Sequence, residues 1–258
     1  MLPQKTPQDL YVEAVVARKP PATIVAGSLN QLVTTIQTWA TQYLLEIKPS
    51  GSYAKDTAVA GSADIDLLIS LRNDVLSGNT PTLSALYHSL KNRLIAVGYT
   101  PRLQNVSIRV ALPGINVDLV PAVKRAGNTN DHSVFKRKVN TWRQTNVDTH
   151  ISAIKNSGRT FDIKAVKIWR NVHGLDISSF YLELAVIEAL RGRALYNPAE
   201  NFMHVMEFIG SELVGRNIQD PANTANLVSD ELIEAEKLTI ARQAINSRNQ
   251  PSWGQIIW

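Results

Sequence analysis

Apolar residues return along this chain every three to four positions in some stretches and every second position in others, and the balance shifts near its middle. From Ser28, the residues Leu32, Val33, Ile36, Trp39, Ala40, Tyr43 and Leu44 form one stripe, which predicts a helix with Ser28 as its N-cap. Lys19-Pro20-Pro21 separates it from a short N-terminal helix, because proline forces the residue before it into extended backbone. Residues 46–50 read as a short strand, and after Gly51-Ser52 comes an apolar strand over 64–71. Leu83, Leu86, Tyr87, Leu90, Leu94 and Val97 share one face of a helix predicted over 80–97. Alternation over 106–112 and 115–120, joined at Pro113-Gly114, predicts a hairpin. Residues 124–144 are polar, basic and mostly loop, with room for a second hairpin over 134–142. After Asn146 the period is helical, over 147–155, 161–172, 178–195, 199–214 and roughly 223–247. The expected fold class is therefore α+β. A mixed-sheet lobe with N-terminal helices spans 1–145, a helical lobe spans 146–258, and a ligand cleft lies where they meet.

Composition narrows the chemistry. The 258 residues contain 27 Lys+Arg against 22 Asp+Glu, a formal charge of +5 that favours phosphate-bearing partners. Cysteine is absent, which excludes disulfides, thiolate metal sites and a cysteine nucleophile. No run approaches the roughly 18 apolar residues of a membrane span. The first residues lack the apolar core and small-residue cleavage site of a secretory signal, so a cytoplasmic protein without a membrane partner is expected.

The candidate chemistry lies in Gly51-Ser52-Tyr53-Ala54-Lys55-Asp56-Thr57 and in Asp64-Ile65-Asp66. Strand alternation puts Asp64 and Asp66 on one face, roughly 6–7 Å apart. Two carboxylates so placed repel unless a cation sits between them, and oxygen ligands of this kind suit Mg²⁺. Asp118 alternates with Ile115, Val117 and Leu119 and so points away from their apolar face. If its strand lies beside the first, three carboxylates converge and can hold two metals. One would activate an attacking hydroxyl and the other would bind a triphosphate and its leaving pyrophosphate. Gly51 permits close backbone approach, the Ser52 hydroxyl can donate to an oxyanion, and a helix just after would aim N–H groups at phosphate, with Thr57 supporting the turn. Plainer readings stand beside these. Asp64 follows Gly61-Ser62 and could be a turn residue, and a two-residue turn at Pro113-Gly114 would set Asp118 opposite Arg109 as a cross-strand ion pair.

The order Gly-Ser, DxD, distant Asp resembles the signature of the DNA polymerase β nucleotidyltransferase superfamily. The nearest branch holds the oligoadenylate synthases, the bacterial cyclic-oligonucleotide synthases (CD-NTases, relatives of cyclic GMP-AMP synthase) and the archaeal CCA-adding enzymes. The likeness runs over roughly 28–245. Residues 162–170, DIKAVKIWR, look like the spine helix whose lysine, here Lys167, reaches the triphosphate. Residues 178–184, SSFYLEL, look like the next helix, whose Ser179 and Tyr181 would contact phosphate and base. Residues 220–227, DPANTANL, are similar to the "DP…NN" stretch of the synthases. The resemblance implies that Asp64, Asp66 and Asp118 are the catalytic metal ligands, with Asp118 assisting deprotonation of the acceptor, and that Gly51 and Ser52 hold phosphate. The cofactor is Mg²⁺, two ions, with Mn²⁺ as substitute, and nucleoside triphosphates are the substrates. The implied activity is nucleotidyl transfer from an NTP to a hydroxyl with release of pyrophosphate, in an active site between the lobes. A CD-NTase-like synthase of cyclic di- or oligonucleotide second messengers in antiviral defence fits best. Nothing reads as a zinc ribbon, and no tRNA-recognition tail follows residue 245. An RNA 3′-terminal nucleotidyltransferase and a non-catalytic nucleotide or nucleic-acid binder are the alternatives.

Other features have two readings each. Lys164 and Lys167 lie off the centre of their helix's apolar face, where a solvated lysine is the plain alternative to a phosphate ligand. Ser179 could be a simple cap, and Tyr181 could pack with Leu182 and Leu184 instead of stacking on a base. Lys136, Arg137, Lys138 and Arg143, interleaved with Phe135 and Trp142, make a basic-aromatic patch for an RNA strand or an acceptor nucleotide, or else an exposed loop. His88, His132, His150, His173 and His204 show no metal spacing, and Trp253 and Trp258 would tuck onto the body or meet a neighbour.

Overall fold

The computed structural model describes residues 5–18, 26–60, 64–77 and 82–258. Its elements in chain order begin with α1 (Pro7–Arg18), α2 (Ala26–Ala40), β1 (Leu44–Ser50), α3 (Gly51–Ala54), β2 (Ile65–Leu71) and α4 (Leu83–Ala96). Then come β3 (Arg102–Leu103), β4 (Ile108–Leu112), β5 (Ile115–Lys124), β6 (His132–Lys136), β7 (Thr141–Thr145) and α5 (Val147–Lys155). The remainder comprises α6 (Thr160–Val172), α7 (Ser179–Ala189), α8 (Pro198–Ser211), β8 (Gln219–Asp220), β9 (Asn223–Leu227), α9 (Glu234–Arg248) and α10 (Trp253–Ile256). These elements form two compact units, a sheet unit (Ala22–Ala54 and Ala63–Ile151) and a helical unit (Met1–Pro21, Lys55–Ser62 and Ser152–Trp258).

In the sheet unit the strands run in the order β1-β2-β5-β4-β3, with β6 beside β5 and β7 beside β6. β2 and β5 are parallel and the other pairs antiparallel. Alternation decides what each face carries. Ile65, Leu67, Ile69 and Leu71 of β2, with Val117, Leu119 and Val123 of β5, share a core with Leu32 and Ile36 of α2 and Leu86, Leu90 and Leu94 of α4. Residues of the other parity, including Asp66 and Asp118, therefore lie on the opposite face, where Leu68, Ala122 and Val134 form a small second cluster. The hairpin at Pro113-Gly114 is present, with Leu112 opposite Ile115 and Gly114 at a φ of +79° that glycine adopts without strain.

Several boundaries differ from expectation. Ser28 lies inside α2 and does not cap it, and the helix ends at Ala40 because Thr41 takes a φ of +50°, which turns Leu44 into β1. Thr82 caps α4, accepting from the Ala85 N–H at 3.0 Å. Residues 124–144 hold a full hairpin, β6–β7, with Asn140 at its turn in a left-handed conformation. Lys19-Pro20-Pro21, Gly61-Ser62 and Thr80 lie outside the described residues.

The helical unit is built on α6 and α7, whose Ile163, Val166, Trp169, Leu182 and Val186 are buried together. Val12 and Val15 of α1 and Val59 are buried in the same core. For that reason α1 and residues 55–62 belong here, and the expected division into 1–145 and 146–258 moves to a discontinuous one with its last crossing after Ile151. The helix expected over 223–247 starts only at Glu234. Before it stands the β8–β9 hairpin, where the buried Asp220 carboxylate accepts from Ala222 N–H at 2.9 Å and Asn226 at 3.3 Å, local bonds that favour a turn. Among the described residues, no helix is long and apolar enough to cross a membrane.

Candidate active site

The parallel register sets Asp66 directly beside Asp118 on neighbouring central strands, with Asp64 two residues before Asp66. β1 brings the Gly-Ser turn to the same place, since Ser50 pairs with Asp66. Gly51, at φ +64°, lies so close that a Cβ added there would sit 1.7 Å from Asp66 Oδ2. Only glycine fits, so the first two motifs of the sequence meet in one corner of the sheet unit. α3 is a single turn that begins at Gly51 itself, not just after Ser52 as expected.

Arg109 occupies the centre of this corner. It lies opposite Asp118 across β4–β5, and its Nε and Nη2 donate to the two Asp118 oxygens at 2.9 and 2.7 Å. The same Nη2 also donates to Asp64 Oδ2, so the cross-strand ion pair anticipated from the turn is present and extends to a second carboxylate. Asn116 donates to Asp64 Oδ1 at 3.1 Å and Gln104 to Asp118 Oδ1 at 3.3 Å. Hydrogen bonds to Asp118, followed by the charges of Asp118, Asp64 and Asp66, hold the guanidinium above its ordinary pKa. Burial and then Asp64 push the Tyr53 phenol up.

Among the described residues no preformed group of three or more acidic or histidine side chains has the geometry to hold a metal ion. Arg109 places its positive charge between Asp64 and Asp118, two of the three carboxylates expected to form the cradle. In kind the donors suit a hard divalent cation, being carboxylate oxygens gathered on one sheet face.

Lys167, Ser179 and Tyr181 all lie in the helical unit. Lys167 is buried and not solvated as its helix position suggests: its ammonium meets Glu183 Oε1 at 2.5 Å, Thr57 Oγ1 at 2.9 Å and Thr57 O at 3.2 Å. Three acceptors match its three N–H donors, and Lys167 is a member of a buried ion-pair cluster. Lys55 joins it through Glu183 Oε2, and Thr57 donates to Glu183 Oε1 at 2.6 Å. Burial lowers the Lys167 pKa to about 8 against the opposing pull of Glu183. Burial pushes Glu183 up, but Lys167 and Lys55 outweigh it and keep the carboxyl below its usual range. Ser178, not Ser179, caps α7, accepting from Tyr181 N–H at 3.2 Å, while the Ser179 hydroxyl accepts from Arg170 at 3.0 Å. Tyr181 takes the core alternative: its ring is fully buried and offers no face to a base, and burial lifts its hydroxyl pKa to about 12.

The basic-aromatic patch separates into parts. Arg137 and Lys138 are exposed at the β6–β7 turn and Lys136 is half-buried, whereas Phe135 is buried in the sheet core. Arg143 lies opposite Val134, on the face away from Trp142, and Trp142 is exposed with the Arg125 guanidinium 5.1 Å from its ring centre. Trp253 tucks against Phe202. Sequence reasoning missed Glu183, although a lone acid inside the apolar run YLELAVI was its signal. It also missed Asn116, which shares Asp118's face by alternation, and Gln104, for which no signal existed.

Residues 17–157, more than half of the chain, match the Second Messenger Oligonucleotide or Dinucleotide Synthetase domain. No curated protein matches by sequence. In fold the chain is similar to CdnC of E. coli MS115-1 solved with ATP, at a TM-score of 0.75 and 18% identity, over 93% of this chain and 90% of that one. It is also similar to the CD-NTase CdnG of Bradyrhizobium diazoefficiens in complex with GTP, with TM-score 0.76, 15% identity and 95% and 91% coverage. The CdnE cyclic dinucleotide synthase of Elizabethkingia meningoseptica, solved with GTP and Apcpp, gives 0.72, 14%, and 94% and 99%. Neither the RNA-terminal transferase nor the non-catalytic binder finds support in these comparisons. The chain belongs to the Second Messenger Oligonucleotide or Dinucleotide Synthetase family, the CD-NTases, nucleotidyltransferases that make cyclic oligonucleotides from nucleoside triphosphates and depend on a divalent metal.

Proposed function

We propose that this protein joins nucleoside triphosphates into a cyclic di- or oligonucleotide second messenger that serves antiviral defence, with Asp64, Asp66 and Asp118 as ligands of two Mg²⁺ ions. The observation that carries this reading is the register of Asp66 with Asp118, with Gly51 pressed against the Asp66 carboxylate. When bound, the metal acidifies the attacking hydroxyl and neutralises the triphosphate. Asp118 takes the proton from the acceptor hydroxyl, whose oxygen then bonds to the α-phosphorus of the donor as pyrophosphate leaves. Ser52 donates its hydroxyl, and Gly51 its close backbone, to the departing phosphates.

Incubation with labelled NTPs and Mg²⁺ tests this reading, using Asp64→Asn and Asp66→Asn as controls. Phosphatase-resistant small products from the wild-type protein, absent with both variants, are expected. Linear products only, or undiminished pyrophosphate release from the variants, would overturn it.

A further inference from the structure

Two carboxylates read above as metal ligands already share a cation belonging to the protein. We propose that Arg109 is an internal counter-ion that competes with the divalent metal for Asp64 and Asp118, so that metal entry requires the guanidinium to release them. The inference rests on the metal-site reading just given.

Both Asp118 oxygens are engaged by Arg109, through Nε at 2.9 Å and Nη2 at 2.7 Å. Nη2 also reaches Asp64, which lies on a different strand, so one group ties together ligands contributed by β2's entry and by β5. A metal ion needs the same oxygens at roughly 2.0–2.1 Å for Mg²⁺, where its charge and the guanidinium's would repel. The two occupants therefore exclude each other. Arg109 is able to leave: its side chain is 29% exposed, and it springs from β4 rather than from the buried core face. While formed, this arrangement lowers the affinity of the acidic face for metal, and the metal must displace Arg109 to bind.

Manganese binding without nucleotide, followed through the electron paramagnetic resonance of the free aquo ion, reads this directly. Arg109→Gln is expected to bind Mn²⁺ roughly tenfold or more tightly than wild type, because the competing cation is gone. Arg109→Lys falls between, since a lysine keeps the charge but cannot grip two carboxylates with a planar fork. Arg102 lies directly across β3–β4 from Arg109, and Arg102→Gln removes an equal charge nearby, with an expected change of less than about twofold at ordinary salt. In unmodified protein, Mg²⁺ should shift the Arg109 Nε–H resonance as its bond to Asp118 breaks, a readout that does not depend on any variant folding. Equal Mn²⁺ affinity in Arg109→Gln and wild type, an equal gain in Arg102→Gln, or an unmoved Nε–H signal at metal saturation would each overturn the proposal. Asp66→Asn separates it from the reading beneath it. Mn²⁺ binding lost in Asp66→Asn but indifferent to Arg109 refutes the competition alone, whereas binding indifferent to Asp66 refutes the metal site as well.

Discussion

Asp64, Asp118 and Arg109 in the sheet unit, and Glu183, Lys55 and Lys167 in the helical unit, are networks of the same chemical kind in opposite surroundings. Water reaches part of the first: the side chains of Arg109 and Asp64 are each 29% exposed, and that of Asp118 8%. It does not reach the second, where Glu183 is 0% and Lys167 2% exposed. In the open network one guanidinium answers two carboxylates, and partners can be exchanged at modest energy. The closed network has every Lys167 donor used, and removing one member strands charge in a medium that cannot solvate it. Exposure, more than composition, distinguishes a site prepared to trade ligands from one that holds a fold together.

The largest test of this contrast is Asp64→Asn, which should cut product formation on the order of 10³-fold while thermal unfolding stays near that of wild type. A large loss of stability instead would make the open network structural. Glu183→Gln should do the reverse, destabilising by about 3–5 kcal/mol in denaturant unfolding, because two buried lysines lose their shared carboxylate. Gly51→Ala sharpens the boundary between the two behaviours. It costs about 1–2 kcal/mol from its left-handed backbone alone and pushes Asp66 aside, so both unfolding and turnover should suffer.

A pH effect comes next. His132 is buried, with Nδ1 donating to Asn130 O at 2.8 Å and Nε2 accepting from Ser70 at 2.8 Å, and burial lowers its pKa below the usual 6.5. The unfolded chain thus binds this proton at higher pH than the folded one. Its contribution is complete above pH 6.5 and is lost as the pH falls through the depressed folded value. A melting series from pH 7.5 to 5 should fall by a few degrees, at roughly 2–4 °C per kcal/mol, and His132→Asn should flatten it. Least of all, Asp56→Asn removes the charge paired with Lys164 at 3.1 Å, where Asp56 is 71% exposed, while keeping a side chain suited to its left-handed backbone, and should change stability by less than about 1 kcal/mol.

The sequence made legible whatever depends on local alternation. Asp64 with Asp66, Asp118 against its apolar neighbours, and the turn at Pro113-Gly114 all follow from a period of two, and Arg109 opposite Asp118 follows from the turn length. That Arg109 also reaches Asp64 could not be read, because it depends on β2 and β5 being neighbours. The burial of Lys167 was hidden for a similar reason. A helical wheel sees one helix, while the acceptors for that ammonium come from Thr57 and Glu183, 110 and 16 residues away in the chain. The β8–β9 hairpin was lost to a helical period continued back to Asn223, through Asn residues that favour turns.

The eight residues 55–62, set in the middle of the sheet unit's sequence yet belonging to the helical core, bear on how this protein can be divided. A gene truncated after Ile151 would encode α1 and Val59 without the apolar partners that bury them, and one starting at Ser152 would lack Thr57 and Lys55 for Glu183. Sheet unit and helical unit are thus interlaced along the polypeptide, and a single cut after Ile151 parts the helical core from residues it buries.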